Sequence, residues 1–265
     1  MSIIQPGEKL AEFFRSLYPF PGEGSPVSKI DYDLMEDDEY SRLVYESQIH
    51  YLVRRFIKSV RHIYENNINK GDSVYHKIKI RQYIQRNTRY DSSEVNELVT
   101  LLLECIRSAE ASGNGNLNRT KSKAKREDAN CAFCGKSMTF AKNVSKEQRH
   151  EQVTADHVWP KSLGGVHSME NMRAVCHKCN SRKGDYLGYY DYHYEYMCSK
   201  APGRGKFKKE RGYEWKLAVL ARSNFECYVC GASAEKIGEL IIARKESSDY
   251  WHFLNLAAFC PRHLP

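Results

Sequence analysis

The chain has 265 residues, 41% hydrophobic and 28% charged, with a formal net charge of +8. That is enough apolar material for a folded core, in one large domain or in two to three small ones. No apolar run is long enough to cross a bilayer, and the first ten residues lack a basic-then-apolar leader pattern, so the sequence predicts a cytoplasmic protein with no membrane partner.

The positive balance favours a polyanionic partner, since each Lys or Arg that meets a phosphate releases counterions. A soluble basic protein without such a partner has the same composition, and charge alone does not choose. Nine cysteines could staple a disulfide scaffold, but C-x-x-C-like clusters in a reducing compartment point to metal.

In chain order, the first 111 residues read as a helical bundle. Glu8 to Tyr18 is a short amphipathic segment, stopped by Pro19 and the Pro21-Gly22 pair. A long helix is predicted from Glu39 to Asn66, where Tyr40, Leu43, Val44, Leu52, Phe56, Val60, Ile63 and Tyr64 recur at three- and four-residue steps. Its other face carries Arg42, Arg54, Arg55, Lys58 and Arg61 and reads as solvated. A third helix is expected over Val74–Gln85. A fourth starts at Asp91, which makes a capping box with Glu94. Residues 112–130, with Gly113-Asn114-Gly115-Asn116 followed by Arg119, Lys121, Lys123, Lys125 and Arg126, read as a loosely held basic linker able to lie along a phosphate backbone.

From Cys131 the composition turns to metal-ligand residues. Cys131-x-x-Cys134 and Cys176-x-x-Cys179 supply four thiols on two tight turns, the donor set of a closed structural zinc site. The 41 residues between the pairs exceed a ribbon spacing, so something is inserted between the knuckles. A second set follows in Cys227-x-x-Cys230 and Cys260-x-x-His263. Arg126-x4-Cys131 matches Arg222-x4-Cys227, and Asn171-x4-Cys176 matches Asn255-x4-Cys260. This shared register at both ends marks an internal repeat, hence two similar zinc-stapled modules. Units of this size bury too little apolar surface to be stable without their metal.

Between the first knuckles, Val153 to Val158 reads as a short strand with Asp156 and His157 on opposite faces, followed by Pro160, a Gly164-Gly165 loop and Asn171-Met172. Cys176 to Lys183 turns from knuckle into helix, carrying Asn180. This constellation, over about residues 126–188, resembles the HNH endonuclease family of ββα-metal nucleases. The resemblance implies that Asp156 and Asn180 hold one hard divalent cation, Mg²⁺ with Mn²⁺ as substitute. It implies that His157 is the general base and that Asn171 braces the loop and the imidazole. Arg182 and Lys183, with Lys161, become candidates for the phosphates of the cleaved strand. Arg204 and Lys206, in a basic glycine-rich loop, are candidates for the DNA backbone.

In the second module, counting back from Asn255 by the His157-to-Asn171 interval reaches Ile241, and the counterpart of Asn180 is Leu264. It therefore reads as a degenerate copy that kept its zinc and lost its chemistry. A tyrosine-dense run (Tyr186, Tyr189, Tyr190, Tyr192, Tyr194 and Tyr196) separates the modules and reads as packing first and base stacking second. Cys105 and Cys198 read as buried thiols.

The expected fold is α+β and mostly helical. It comprises a bundle over 1–111 that serves as sensor or docking domain, the linker over 112–130, an HNH module over 131–200 and the degenerate copy over 201–265. The expected function is metal-dependent cleavage of DNA, most readily double-stranded, by a prokaryotic or phage restriction or anti-phage-defence nuclease. A homodimer or a regulatory protein would engage through the helical region. The alternative is a non-catalytic zinc-stabilised module that binds nucleic acid or acts as a scaffold.

Overall fold

A computed structural model describes residues 4–20, 38–65, 73–110, 115–141, 143–188, 213–247 and 253–265. Arg204, Lys206, Cys198 and the tyrosines from Tyr189 to Tyr196 lie outside the described residues. The fold is α+β and mostly helical, in two compact units. One comprises Met1–Ser112 with Trp159–Asn171, and the other Gly113–Val158 with Met172–Pro265.

In the first unit, α1 (Pro6–Leu17) starts with proline in its first turn, and the Glu8 carboxylate accepts the Gln5 N–H at 2.7 Å. It buries Leu10, Ala11, Phe13 and Phe14. The long helix α2 (Asp38–Glu65) buries Leu43, Ile49, Val53, Phe56, Ile57 and Val60. The core stripe thus runs through Val53 and Ile57, and Leu52 is only half-buried. Helices α3 (Ser73–Asn87) and α4 (Ser92–Glu110) complete the bundle. The predicted box on α4 is formed in both directions: Asp91 N–H donates to Glu94 at 2.7 Å, and Glu94 N–H donates to Asp91 Oδ1 at 2.9 Å.

This unit also contains the loop that follows β1. Leu163, in a short 3-10 turn (Lys161–Leu163), is fully buried. Arg61, expected on the solvated face of α2, instead donates to the Ser162 carbonyl at 2.7 Å. The Gly7 N–H reaches the Gly164 carbonyl at 3.3 Å, and Gln5 Oε1 accepts from Val166 N–H at 2.8 Å. Gly164 has φ +84°, and a Cβ there would lie 2.7 Å from Cys105 Sγ, so position and packing both require glycine.

The second unit opens with α5 (Gly115–Arg126), where a loose basic linker was expected. Lys, Arg and Ala are good helix formers, the basic residues fall in the last turn where the helix dipole favours them, and Thr120 with Ala124 makes a narrow buried stripe. That stripe packs on the hairpin of β1 (Val153–His157) and β2 (Met172–Cys176). The strands pair antiparallel, with Asp156 opposite Arg173 and His157 opposite Met172. Helix α6 (His177–Lys183) follows β2 directly and packs on β1.

The same plan then recurs. Helix α7 (Tyr213–Arg222) packs on the antiparallel pair β3 (Ile241–Arg244) and β4 (Leu256–Phe259), with the one-turn helix α8 (Ala234–Ile237) between. Arg126 and Arg222 both end their helices, and Asp128 and Asn224 both adopt positive φ just beyond. The repeat thus begins one helix earlier than the ligand spacing suggests. Strand register also corrects the assignment within it. His157 pairs with Met172 as Arg244 pairs with Leu256, so the counterpart of His157 is Arg244, not Ile241, and that of Asp156 is Ala243. Asn171 lies fourteen positions after His157, but Asn255 only eleven after Arg244, which is why counting missed it.

Candidate active site and metal centres

Two backbone amides build each ligand cluster in the same way. Gly135 N–H donates to the Cys131 carbonyl and Gly231 N–H to that of Cys227, each at 2.8 Å, and both glycines have positive φ. Cys176 N–H points at Cys131 Sγ and Cys260 N–H at Cys227 Sγ, each at 3.3 Å. The donor atoms of Cys131, Cys134, Cys176 and Cys179 all lie within 4.8 Å of one another, as do those of Cys227, Cys230, Cys260 and His263. Zinc bonds of about 2.3 Å place tetrahedral ligands roughly 3.8 Å apart, so each group fits one ion. Burial opposes the Cys227 thiolate, but amides of Cys260, Cys230 and Val229 outweigh it and hold its pKa at about 6. In the first cluster, bonds from Cys131 and then from Cys176 and Cys179 hold Cys134 low.

The clusters differ in cover. All four ligands of the first are buried, while Cys230 of the second is exposed and His263 is half-exposed. Tyr213, at the start of α7, brings its hydroxyl 3.2 Å from Cys179 Sγ. Burial, then the charge on Cys179, pushes that phenol far up. Phe133 of the first knuckle stacks on Phe225 with ring centroids 4.4 Å apart.

Between the first knuckles, Asp156 and His157 end β1. Asp156 is 7% exposed and His157 half-buried, the alternation expected of a strand. Burial raises the Asp156 carboxyl above its ordinary pKa, against the attraction of Lys183 and the His157 N–H. Its Oδ2 meets the Lys183 ammonium at 2.9 Å. Lys183 also donates to the His157 carbonyl at 2.8 Å. Asn180 lies three residues before Lys183, one turn earlier on the same helical face. Its side-chain amide makes no hydrogen bond with any described residue. A carboxylate and an amide oxygen form a hard donor set suited to Mg²⁺ rather than to zinc.

Asn171 is buried and saturated. Its Oδ1 accepts Trp159 N–H at 2.7 Å, and its Nδ2 donates to Trp159 O at 3.0 Å and to Val166 O at 2.9 Å. Asn255 does the same for Glu246, taking its N–H at 2.9 Å and donating to its carbonyl at 3.0 Å. Trp159 and Glu246 each stand two residues beyond the paired positions His157 and Arg244. One brace thus serves both modules.

The basic candidates separate. Lys183, expected to hold phosphate, is instead buried and paired with Asp156. Arg182 is exposed and pairs with Glu214. Lys161 lines a cavity of about 320 Å³ with Arg61, Tyr64 and Glu110 in the first unit. The pairing of Lys183 with Asp156 and the contact of Tyr213 with Cys179 were not foreseen. The helical step from Asn180 could have found the first, but nothing local signals the second.

A family model described as HNH endonuclease matches residues 131–188. Over residues 131–188 the chain is thus similar to HNH endonucleases. A 61-residue stretch of the chain is 34% identical to a CRISPR-associated endonuclease Cas9 from Corynebacterium diphtheriae, covering 23% of this chain and 5% of that protein. No solved structure matches the chain. The matched segment spans α6, the β1–β2 hairpin and the first thiol cluster, and the loop 159–171 inside it belongs to the helical unit.

Proposed function

We propose that the chain is a divalent-metal-dependent endonuclease that hydrolyses DNA phosphodiester bonds. The observation that carries this is the end of β1 beneath α6. The buried Asp156 carboxylate is approached by the helix face that bears Asn180, and His157 stays accessible next to it.

In this reading His157 accepts a proton from the attacking water, which requires a neutral imidazole near pH 7. Asp156 and the Asn180 amide oxygen hold Mg²⁺, or Mn²⁺ in its place. The ion would supply charge stabilisation for the reacting phosphate and the leaving 3′ oxygen. Asn171 fixes the chain two residues past His157 and so the strand end that carries the imidazole. Arg182 and the exposed basic face of α5 (Arg119, Lys123, Lys125 and Arg126) supply phosphate contacts along the strand. Zinc in both thiol clusters would be structural, since four protein ligands leave no open position.

Likeness to a bacterial CRISPR-associated endonuclease supports a prokaryotic or phage setting, and the role proposed is restriction or anti-phage defence. No described helix is long and apolar enough to cross a membrane. The test is plasmid incubated with Mg²⁺. Wild type should nick or cut it, and His157→Ala should lose about 10²–10⁴-fold in rate. Equal inertness of the two, with retained DNA binding, would favour a non-catalytic zinc module. The same assay on RNA decides the nucleic acid.

A further inference from the structure

Among the described residues, Asp156 is the only buried carboxylate and Lys183 the only buried Lys or Arg, and they form a pair. Charged side chains are rarely buried without a reason, and an ion pair is an indifferent way to stabilise an interior. A packed apolar pair would serve the fold as well. The other nearby cation, Arg173 opposite Asp156 in the ladder, is exposed and turns its guanidinium to the Met172 carbonyl.

We infer that Lys183 is a built-in competitor of the divalent ion at Asp156, supplying the carboxylate's counter-charge while the ion is away and holding the ion's affinity down. The inference deepens the proposed function and rests on its assignment of Asp156 as a metal ligand. Three features carry it. The ammonium sits 2.9 Å from Oδ2 and is the charged group that faces the carboxylate. A second bond, to the His157 carbonyl at 2.8 Å, fixes the ammonium to the same strand end, so it stays close when an ion arrives. The donor set of Asp156 and Asn180 offers a single negative charge, which Lys183 cancels. An incoming dication therefore meets a neutral site, and the negative charge that would draw it in comes from a phosphodiester. Metal and nucleic acid then bind co-operatively, and the free protein holds its catalytic ion loosely.

The experiment is Mn²⁺ titration of the zinc-loaded protein without nucleic acid, followed by the electron paramagnetic resonance of free Mn²⁺. Lys183→Met should bind Mn²⁺ tighter than wild type by on the order of tenfold or more, since a positive charge leaves the vicinity of a dication. Lys183→Gln can still donate to the His157 carbonyl without the charge, and it should tighten binding likewise. It also keeps the test alive if the Met variant loses its zinc or its circular dichroism. Asp156→Asn should abolish the site in every background. Unchanged or weaker Mn²⁺ binding in both Lys183 variants, with Asp156→Asn still abolishing it, overturns the competitor and leaves Lys183 a structural tie. Wild-type binding that survives Asp156→Asn overturns the metal assignment itself, and the proposed function with it.

Discussion

The two modules of the second unit, each with a four-ligand cluster that fits zinc, have the same frame and different contents. Each has a helix on a two-stranded hairpin, a Cys-x-x-Cys-Gly turn closed by the same amides, and an asparagine that clamps the chain two residues beyond the strand end. In the first module the strand end bears Asp156 and His157; in the second it bears Ala243 and Arg244. The helix that carries Asn180 shrinks in the second to a 3-10 turn (Pro261–His263) followed by Leu264. What recurs in the second module is architecture. The asparagine brace and the thiol cluster are therefore requirements of the fold, and the acid, imidazole and amide are additions to it.

Removing a zinc ligand should break the comparison most severely. Cys176→Ser should unfold the first module and Cys260→Ser the second, each lowering zinc content and far-UV circular dichroism, because binding and folding are one event in units this small. The next contrast lies at equivalent strand positions. Arg244→Ala should leave the turnover rate on plasmid unchanged, whereas His157→Ala removes it. An equal loss in both would mean that the second module takes part in the reaction.

Below these comes the brace. Asn171→Ala and Asn255→Ala should each cost about 1–3 kcal/mol in urea unfolding, the penalty of leaving buried amide and carbonyl groups without partners. A cost confined to Asn171 would show that the likeness between the braces is superficial. The smallest effect is kinetic. Under a chelator, zinc should leave in two phases, the faster from the second cluster, whose Cys230 is exposed. Tyr213→Phe should accelerate only the slower phase, since its hydroxyl covers Cys179.

Much of this was legible in the sequence where the deciding physics is local. The Asp91–Glu94 box, the alternation of Asp156 and His157 and the ligand spacings all appear as read. The rest depends on tertiary partners. Helix α5 has only Thr120 and Ala124 to bury, too narrow a stripe to outweigh its charge on paper, and the hairpin supplies the missing surface. Arg244 was hidden because the loop after β3 is shorter than its counterpart, and sequence intervals cannot register a deletion. Lys183 looked like a surface cation until α6 folded back onto β1.

The loop after His157 has a consequence for engineering. Leu163 has no exposed surface, Gly164 sits against Cys105, and Gln5, Gly7 and Arg61 hold its backbone. A graft of residues 131–188 into a foreign host would leave those anchors behind. The segment matched to the endonuclease family is thus not a portable cassette, and any minimal version must carry α1, α2 and α4 or redesign the apolar surface they cover.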